Sequence, residues 1–196
     1  MKKIILAFVA ISLSSIISLT ACNSKKISQE LEENKMSKTS KTLVAYFSAT
    51  GNTAKLARTL ASVLDGDLHE IQPEQPYTSA DLDWRDNNSR SSVEMKDKSF
   101  RPTIANKVDS MEMYDTIYIG FPIWWAVAPT IINTFLEQYN LEGKTIIPFA
   151  TSGSSGFGNT NAELKNSCKG AILKEGKRFD ANASAQELKE WVESFK

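Results

Sequence analysis

Alternation between two hydrophobic periodicities constrains the fold of this chain more than any other feature. From residue 42 to the C-terminus, short runs rich in β-branched and aromatic residues alternate with segments in which apolar residues recur every three or four positions. The predicted strands cover residues 42–47, 67–71, 116–120, 145–150 and 171–173. Strands separated by helices pair in parallel, and parallel sheets are covered on both faces. The pattern therefore predicts an α/β fold with a five-stranded parallel sheet.

The helices between these strands are predicted from apolar stripes and start signals. The stripes cover residues 56–64, 131–139 and 188–195, and Pro102 can begin a further helix whose buried face would include residues 104, 108 and 111. Residues 160–163 and 184–187 have the pattern of capping boxes, which predicts helix N-termini there. Pro148 lacks a backbone donor, so we expect it near the end of its strand or at a bulge.

The N-terminus has the pattern of a bacterial secretion signal. Lys2 and Lys3 precede an apolar stretch over residues 4–19, which is short for a membrane span. Leu19-Thr20-Ala21-Cys22 follows and resembles the lipobox of bacterial lipoproteins, in which the cysteine is lipidated. We predict a signal peptide over 1–21, a lipidated Cys22, a flexible tether over 22–41 and one domain over 42–196. An ordinary signal peptide with a chance cysteine is the alternative.

Charge and cysteine content exclude several classes of function. Lys and Arg total 23, as do Asp and Glu, so the chain has no basic field for nucleic acid. Cys22 and Cys168 are the only two cysteines, which excludes a disulfide framework. His69 is the only histidine, and we expect it to be structural or exposed. We find no trio of nucleophile, base and orienting acid and no metal-ligand cluster, so no catalytic or metal residues are predicted.

An uncharged stretch joins the first predicted strand to the first predicted helix. Ser48, Thr50 and Thr53 supply hydroxyl groups there, while Gly51 lets the backbone curl closely. A helix N-terminus has free N–H groups and a partial positive charge, so it can hold a phosphate without a cationic side chain. The stretch therefore predicts a cradle for a phosphate monoester, and capping at a tight turn is the alternative. Neither a nucleotide-triphosphate loop nor a dinucleotide fingerprint is present.

Ser48-Ala49-Thr50-Gly51-Asn52-Thr53 resembles the phosphate-loop signature of the flavodoxins, Ser/Thr-x-Thr-Gly-x-Thr, and it follows the first strand as it does in that family. The resemblance covers residues 42–196. It implies a flavodoxin-like, three-layer doubly wound sandwich with strand order 2-1-3-4-5, of which flavodoxin is itself a standard example. It also implies non-covalently bound FMN as the cofactor.

Two later segments are similar to a bacterial branch of flavodoxin-like proteins, whose members carry a polar, Arg-containing insert after strand two. These are Gly120-Phe121-Pro122-Ile123-Trp124-Trp125 and Thr151-Ser152-Gly153-Ser154-Ser155-Gly156. Both follow strands, and ligands bind outside the carboxyl edge of open α/β sheets. A tryptophan can stack on the flavin, although two core tryptophans are the alternative, and the second segment offers backbone donors unless it is only a flexible loop. The predicted cofactor residues are Ser48, Ala49, Thr50, Gly51, Asn52, Thr53, Pro122, Ile123, Trp124, Trp125, Ala126, Thr151, Ser152, Gly153, Ser154 and Gly156.

Three functions fit these features. The favoured one is electron transfer by an FMN protein that a lipid anchor holds at the outer face of a bacterial membrane, between redox protein partners. The second is an FMN-dependent reductase of a small molecule such as a quinone, with residues 73–101 forming part of a substrate site. The third is a lipoprotein that kept the fold as a non-redox binding module.

Overall fold

The computed structural model describes residues 41–195, so the predicted signal peptide, the lipidation of Cys22 and residues 22–40 of the tether lie outside the described part of the chain. No helix between residues 41 and 195 is both long enough and apolar enough to cross a membrane. Strands and helices alternate in this range as far as β5, which β6 follows without a helix between them. The elements are β1 (Lys41–Tyr46), α1 (Asn52–Leu64), β2 (Asp67–Glu70), α2 (Arg90–Lys96), β3 (Tyr114–Pro122), α3 (Thr130–Glu137), β4 (Thr145–Thr151), α4 (Thr160–Leu164), β5 (Ile172–Leu173), β6 (Lys177–Phe179) and α5 (Ala185–Glu193).

The sheet has the predicted order, β2-β1-β3-β4-β5, and every pair is parallel. A sixth strand, β6, pairs with β4 beyond the end of β5. The sequence did not predict β6, because a three-residue segment with two basic residues has no recognisable hydrophobic pattern. The fold is thus the predicted flavodoxin-like α/β sandwich, with one additional strand.

The helices cover both faces of the sheet, as a parallel sheet requires. Alternate residues of the strands contribute to two separate apolar clusters, so that Ala45 belongs to one and Val44 to the other. The first cluster is covered by α3 and α4, and the second by α1 and α5. Both layers leave the carboxyl ends of β1, β3 and β4 at one edge of the sheet.

Pro148 lies in the middle of β4, so the expectation of a strand end or a bulge was wrong. The backbone groups of alternate strand residues point to the same side, so Pro148 shares its side with Ile146, whose carbonyl accepts a hydrogen bond from Lys174 N at 2.9 Å. On that side β5 ends at Leu173 and β6 begins at Lys177. The missing N–H of proline therefore faces the gap between these two strands, where no ladder bond is lost.

The helix predicted after Pro102 does not form. The segment is extended, and its backbone pairs with the chain that follows β2: Glu74 N donates to Thr103 O at 2.9 Å and Ala105 N donates to Gln72 O at 2.8 Å. Only a short 3-10 turn, Met111–Met113, follows. Three apolar residues at helical spacing were a weak signal, and backbone pairing with a neighbouring segment outweighed it.

The helix α2 lies inside residues 73–101, which we call the insert, and the sequence did not predict it. Its buried residues are Ser91, Ser92 and Glu94, so it has a polar buried face and no apolar stripe. Ser89 caps it by accepting a hydrogen bond from Ser92 N. The insert is therefore an ordered part of the domain.

The two predicted capping boxes have different outcomes. Ser184 caps α5 as predicted, and its hydroxyl accepts a hydrogen bond from Glu187 N at 3.1 Å. Thr160 is instead the first residue of α4, and its hydroxyl donates to Phe157 O at 2.6 Å. A helix therefore begins at residue 160 as predicted, but Thr160 does not cap it, because its hydroxyl bonds the preceding turn.

Candidate functional site

The three predicted ligand segments meet at the carboxyl edge of the sheet. They follow β1, β3 and β4, which are adjacent strands. Backbone bonds hold them in register: Phe47 N donates to Gly120 O at 2.9 Å and Ile123 N donates to Thr151 O at 2.8 Å. The buried hydroxyls of Thr53 and Thr151 also lie 2.8 Å apart. The first and third segments are therefore linked directly through their side chains.

The loop before α1 has the backbone of an anion site. Gly51 precedes the first helical residue with φ of +86°, a conformation that glycine adopts without strain. Within residues 41–195 no side chain caps this N-terminus. Its first N–H groups thus remain for a ligand, and they carry the positive end of the helix dipole.

The Ser48 hydroxyl has an unusual position in the same loop. Its oxygen is buried, yet it has no hydrogen-bond partner among the described residues. A buried polar group without a partner costs about 1–3 kcal/mol, so such an atom calls for an explanation. A phosphate oxygen bound in this loop would supply the partner. Thr50 and Asn52 are exposed beside it, with Asn52 Nδ2 donating to Thr50 Oγ1 at 3.3 Å.

The segment after β3 makes a tight turn with strained backbone. Trp124 and Val127 exchange two backbone hydrogen bonds, each 3.0 Å long, around Trp125 and Ala126. These central residues have φ of +46° and +64°, the geometry of a type I′ turn, which normally takes Asn and Gly. Left-handed backbone costs a non-glycine residue roughly 1–2 kcal/mol. Strain of this kind clusters at functional sites, where the surrounding structure maintains it.

The two adjacent tryptophans have separate environments. Trp124 packs edge-on against Phe47 and Tyr77, with ring centroids 5.6 and 5.3 Å apart. Trp125 is 48% exposed. Trp124 therefore belongs to the packing under the site, while the ring of Trp125 is available to a ligand.

The segment after β4 contacts the strained turn. Gly158, with φ of +61°, lies so close to Ala126 that a Cβ at this glycine would be 2.2 Å from the Ala126 carbonyl oxygen. At the start of the segment, Arg178 of β6 donates to Ser152 O at 2.9 Å. Neither residue was predicted from the sequence: Arg178 because β6 was not predicted, and Gly158 because its role depends on a contact distant in sequence. Ser152 is half-buried, and Gly153, Ser154 and Gly156 are exposed.

The insert reaches the site through Tyr77, whose ring contacts Trp124 and Phe47. The Tyr77 hydroxyl donates to Glu94 Oε2 at 2.5 Å, and Arg90 Nε donates to Glu94 Oε1 at 2.7 Å. Burial, followed by the Glu94 contact, raises the pKa of Tyr77 well above its usual value, so the hydroxyl remains a donor. The pattern of residues 73–101 gave no signal for this arrangement.

His69 and Cys168 do not belong to this site. The His69 ring stacks on Phe135 with centroids 5.9 Å apart, and burial lowers its pKa. Burial also raises the pKa of the Cys168 thiol to about 11, which keeps it protonated at neutral pH. Across residues 41–195, no three His, Cys, Asp or Glu side chains are placed to hold a metal ion together.

Comparison with known families gives one match over nearly the whole described domain. The family model described as flavodoxin matches residues 41–195. No curated protein matches the chain significantly.

Several solved structures resemble the chain. A proposed flavoprotein from Bacteroides eggerthii is 49% identical, with a TM-score of 0.76, over 80% of this chain and 98% of that one. A second proposed flavoprotein, from Bacteroides uniformis, is 53% identical, with a TM-score of 0.75, over 79% and 98% of the two chains. A flavoprotein from Lactobacillus acidophilus, crystallised in complex with FMN, is 24% identical, with a TM-score of 0.60, over 79% and 99%. The last likeness concerns the fold alone.

Proposed function

Since this chain belongs to the flavodoxin family, we propose that it binds FMN and transfers electrons at the outer face of a bacterial membrane. FMN is the cofactor that the family and its fold imply, and the Lactobacillus acidophilus relative is a complex with FMN. When bound, FMN supplies the redox chemistry, and the protein binds, orients and tunes it.

The structure of the loop before α1 is the main support for the proposed FMN site. It combines an uncapped helix N-terminus, a left-handed glycine and the buried Ser48 hydroxyl without a partner in the described residues. These are the donors that a dianionic phosphate monoester needs, and they require no metal or lysine. Ser48, Thr50 and the N–H groups at the start of α1 would hold the FMN phosphate.

The flavin ring would lie against the two other segments. Trp125 offers an exposed aromatic face, and rings of this size prefer offset stacking. The loop that begins at Ser152 offers backbone N–H groups to the polar edge of the ring. Stacking of the Trp125 ring on the flavin would exclude water from one face of the cofactor, and the loss of water would disfavour the charged reduced form of the flavin.

Location and partners are inferred from the N-terminal sequence. A signal peptide followed by a lipidated Cys22 would anchor the domain outside the cytoplasm. Nicotinamide cofactors are scarce there, so a membrane or periplasmic redox protein would act as the electron donor. We expect mass spectrometry of the mature protein to find acylated Cys22 at its N-terminus. An unacylated Cys22 would contradict the anchor and leave the FMN site untouched.

A reductase of a small molecule is the second candidate, and the ordered insert favours it. An electron carrier needs no wall beside its flavin, whereas here Tyr77 packs against Trp124 and is fixed by Glu94. Such a wall could orient a flat substrate such as a quinone.

Titration of FMN with the full chain tests the proposal, because binding quenches flavin fluorescence. We expect saturation at one FMN per chain and retention on gel filtration. A chain that neither changes flavin fluorescence nor retains FMN on gel filtration would leave the non-redox binding module as the remaining candidate.

A further inference from the structure

A buried ionic cluster connects the insert to the candidate cofactor site. Glu94 on α2 is only 4% exposed, and both of its carboxylate oxygens are bonded, one to Arg90 and one to Tyr77. The Arg90 guanidinium also donates to Gln75 O at 2.7 Å and lies 4.0 Å above the centre of the Tyr77 ring. The ring of Tyr77 is therefore held from its face and from its hydroxyl at the same time.

The held ring is part of an aromatic triangle formed by Phe47, Tyr77 and Trp124. The centroid distances are 5.6 Å between Phe47 and Tyr77, 5.6 Å between Phe47 and Trp124, and 5.3 Å between Tyr77 and Trp124. Each corner comes from a different segment. Phe47 precedes Ser48 of the phosphate loop, Trp124 begins the strained turn, and Tyr77 comes from the insert.

The strained turn needs an external restraint. Trp125 and Ala126 occupy left-handed backbone that neither residue prefers, and the two backbone bonds between Trp124 and Val127 close the turn. One wall of the turn is Gly158, which contacts Ala126. The aromatic triangle provides the other wall through Trp124.

The buried ionic cluster is not needed merely to hold the insert against the rest of the domain. A buried ion pair contributes little net stability compared with apolar packing, because desolvation offsets most of its attraction. In some proteins a buried ion pair instead selects a single arrangement, because each of its charged groups must keep its partners. Two other ion pairs, Lys98–Glu163 and Arg101–Glu137, already tie the far end of the insert to the domain.

We propose that Arg90, Glu94 and Tyr77 form a positioning device that fixes Trp124 and, through it, the backbone of Trp125 and Ala126 against the flavin. Glu94 is then a positioning residue that tunes the affinity and redox potential of FMN without touching it. The inference rests on the proposed FMN site and adds a function for the insert. The insert sets the shape of the cofactor site in addition to bordering it.

The test compares Tyr77→Phe and Glu94→Gln with the wild-type full chain. Tyr77→Phe retains the ring and removes only its bond to Glu94, so it is the variant expected to fold even if Glu94→Gln does not. Lys98→Gln is the matched control, because it removes an exposed ion pair from the same insert. The first measurement needs no FMN: the indole N–H resonances of Trp124, Trp125 and Trp191 in an NMR spectrum.

In both test variants we expect the Trp124 and Trp125 resonances to shift, while Trp191, on the opposite face of the sheet, stays in place. With FMN bound, we expect both test variants to bind oxidised FMN and reduced FMN more weakly than the wild type does. The two losses of affinity should differ by a factor of about five, which appears as a shift in midpoint potential. Lys98→Gln should change neither measurement.

Two results would overturn the proposal. One is unchanged Trp124 and Trp125 resonances in Tyr77→Phe. The other is a lower melting temperature with unchanged FMN affinity and potential, which would make the cluster merely structural. A wild-type chain that binds no FMN would refute the proposed function instead, and the resonances would then still decide whether the cluster fixes Trp124.

Discussion

At the scale of single residues, Ser48 and Ser91 each have a buried hydroxyl oxygen without a hydrogen-bond partner among the described residues. One of these serines lies in the loop before α1 and the other in the insert helix α2. Replacement by alanine removes an unsatisfied polar group, so neither substitution should lower the stability of the free protein. Of these two, Ser48 lies in the loop that we propose to bind the FMN phosphate.

We therefore predict that Ser48→Ala weakens FMN binding by about 10- to 100-fold, because a hydrogen bond to a charged group contributes roughly 1.5–3 kcal/mol. Fluorescence titration measures the dissociation constant. Ser91→Ala is the control and should bind FMN like the wild type. Equal binding by both variants would mean that the Ser48 hydroxyl does not contact the phosphate.

Ala126 provides a second prediction at this scale. Its φ of +64° is strained for alanine and free of strain for glycine. Ala126→Gly should thus raise the free energy of unfolding by about 0.5–1 kcal/mol, after allowing for the added entropy of the unfolded chain. Urea denaturation measures this change. Ala128→Gly, at a buried position without positive φ, should destabilise the protein, and the same loss in both variants would show that the turn is not strained.

At the scale of elements, the turn after β3 places Trp124 in the packing under the site and leaves the ring of Trp125 exposed for the proposed ligand. Trp125→Leu should leave the free energy of unfolding within about 0.5 kcal/mol, because the side chain is half exposed, and should weaken FMN binding by about 2- to 10-fold. Trp124→Leu should lower stability by about 1–3 kcal/mol, since its ring packs on Phe47 and Tyr77, and any loss of FMN affinity should accompany that destabilisation. Denaturation and FMN titration of both variants check the pair. If the effects were reversed, the assignment of the two rings would be wrong.

The elements also show which parts of the fold can be predicted from sequence. The apolar strands β1, β3 and β4 and the turn between β1 and α1 were predicted because hydrophobic runs and turn residues are local signals. The helix α2 was not, because Ser91, Ser92 and Glu94 form its buried face. The contact of Tyr77 with Trp124 could not be predicted either, since it depends on how the insert folds over residues distant in sequence.

At the scale of the whole molecule, buried thiol and phenol groups make stability depend on alkaline pH. Burial raises the pKa of Cys168 to about 11 and that of Tyr118 to about 12. The unfolded chain loses these protons at lower pH than the folded one, so the folded state binds more protons. Its stability is full below about pH 8 and falls as the pH rises towards the folded-state pKa values.

Urea denaturation at several pH values between about 8 and 11 should show this fall. In Cys168→Ala the fall should be smaller over the same range, because one of the raised pKa values is absent. An identical pH dependence in the variant would mean that Cys168 ionises as easily in the folded protein as in the unfolded chain.

In the whole molecule, a doubly wound sheet brings three loops to one edge, where we propose that they form an FMN site that serves electron transfer. An anaerobic reductive titration of the FMN-loaded full chain, followed by absorbance, tests this claim most directly. The account predicts one retained FMN per chain and a long-lived one-electron reduction level in high yield. Direct passage to the two-electron level would contradict the carrier and favour a reductase, and failure to retain FMN would contradict the cofactor site itself.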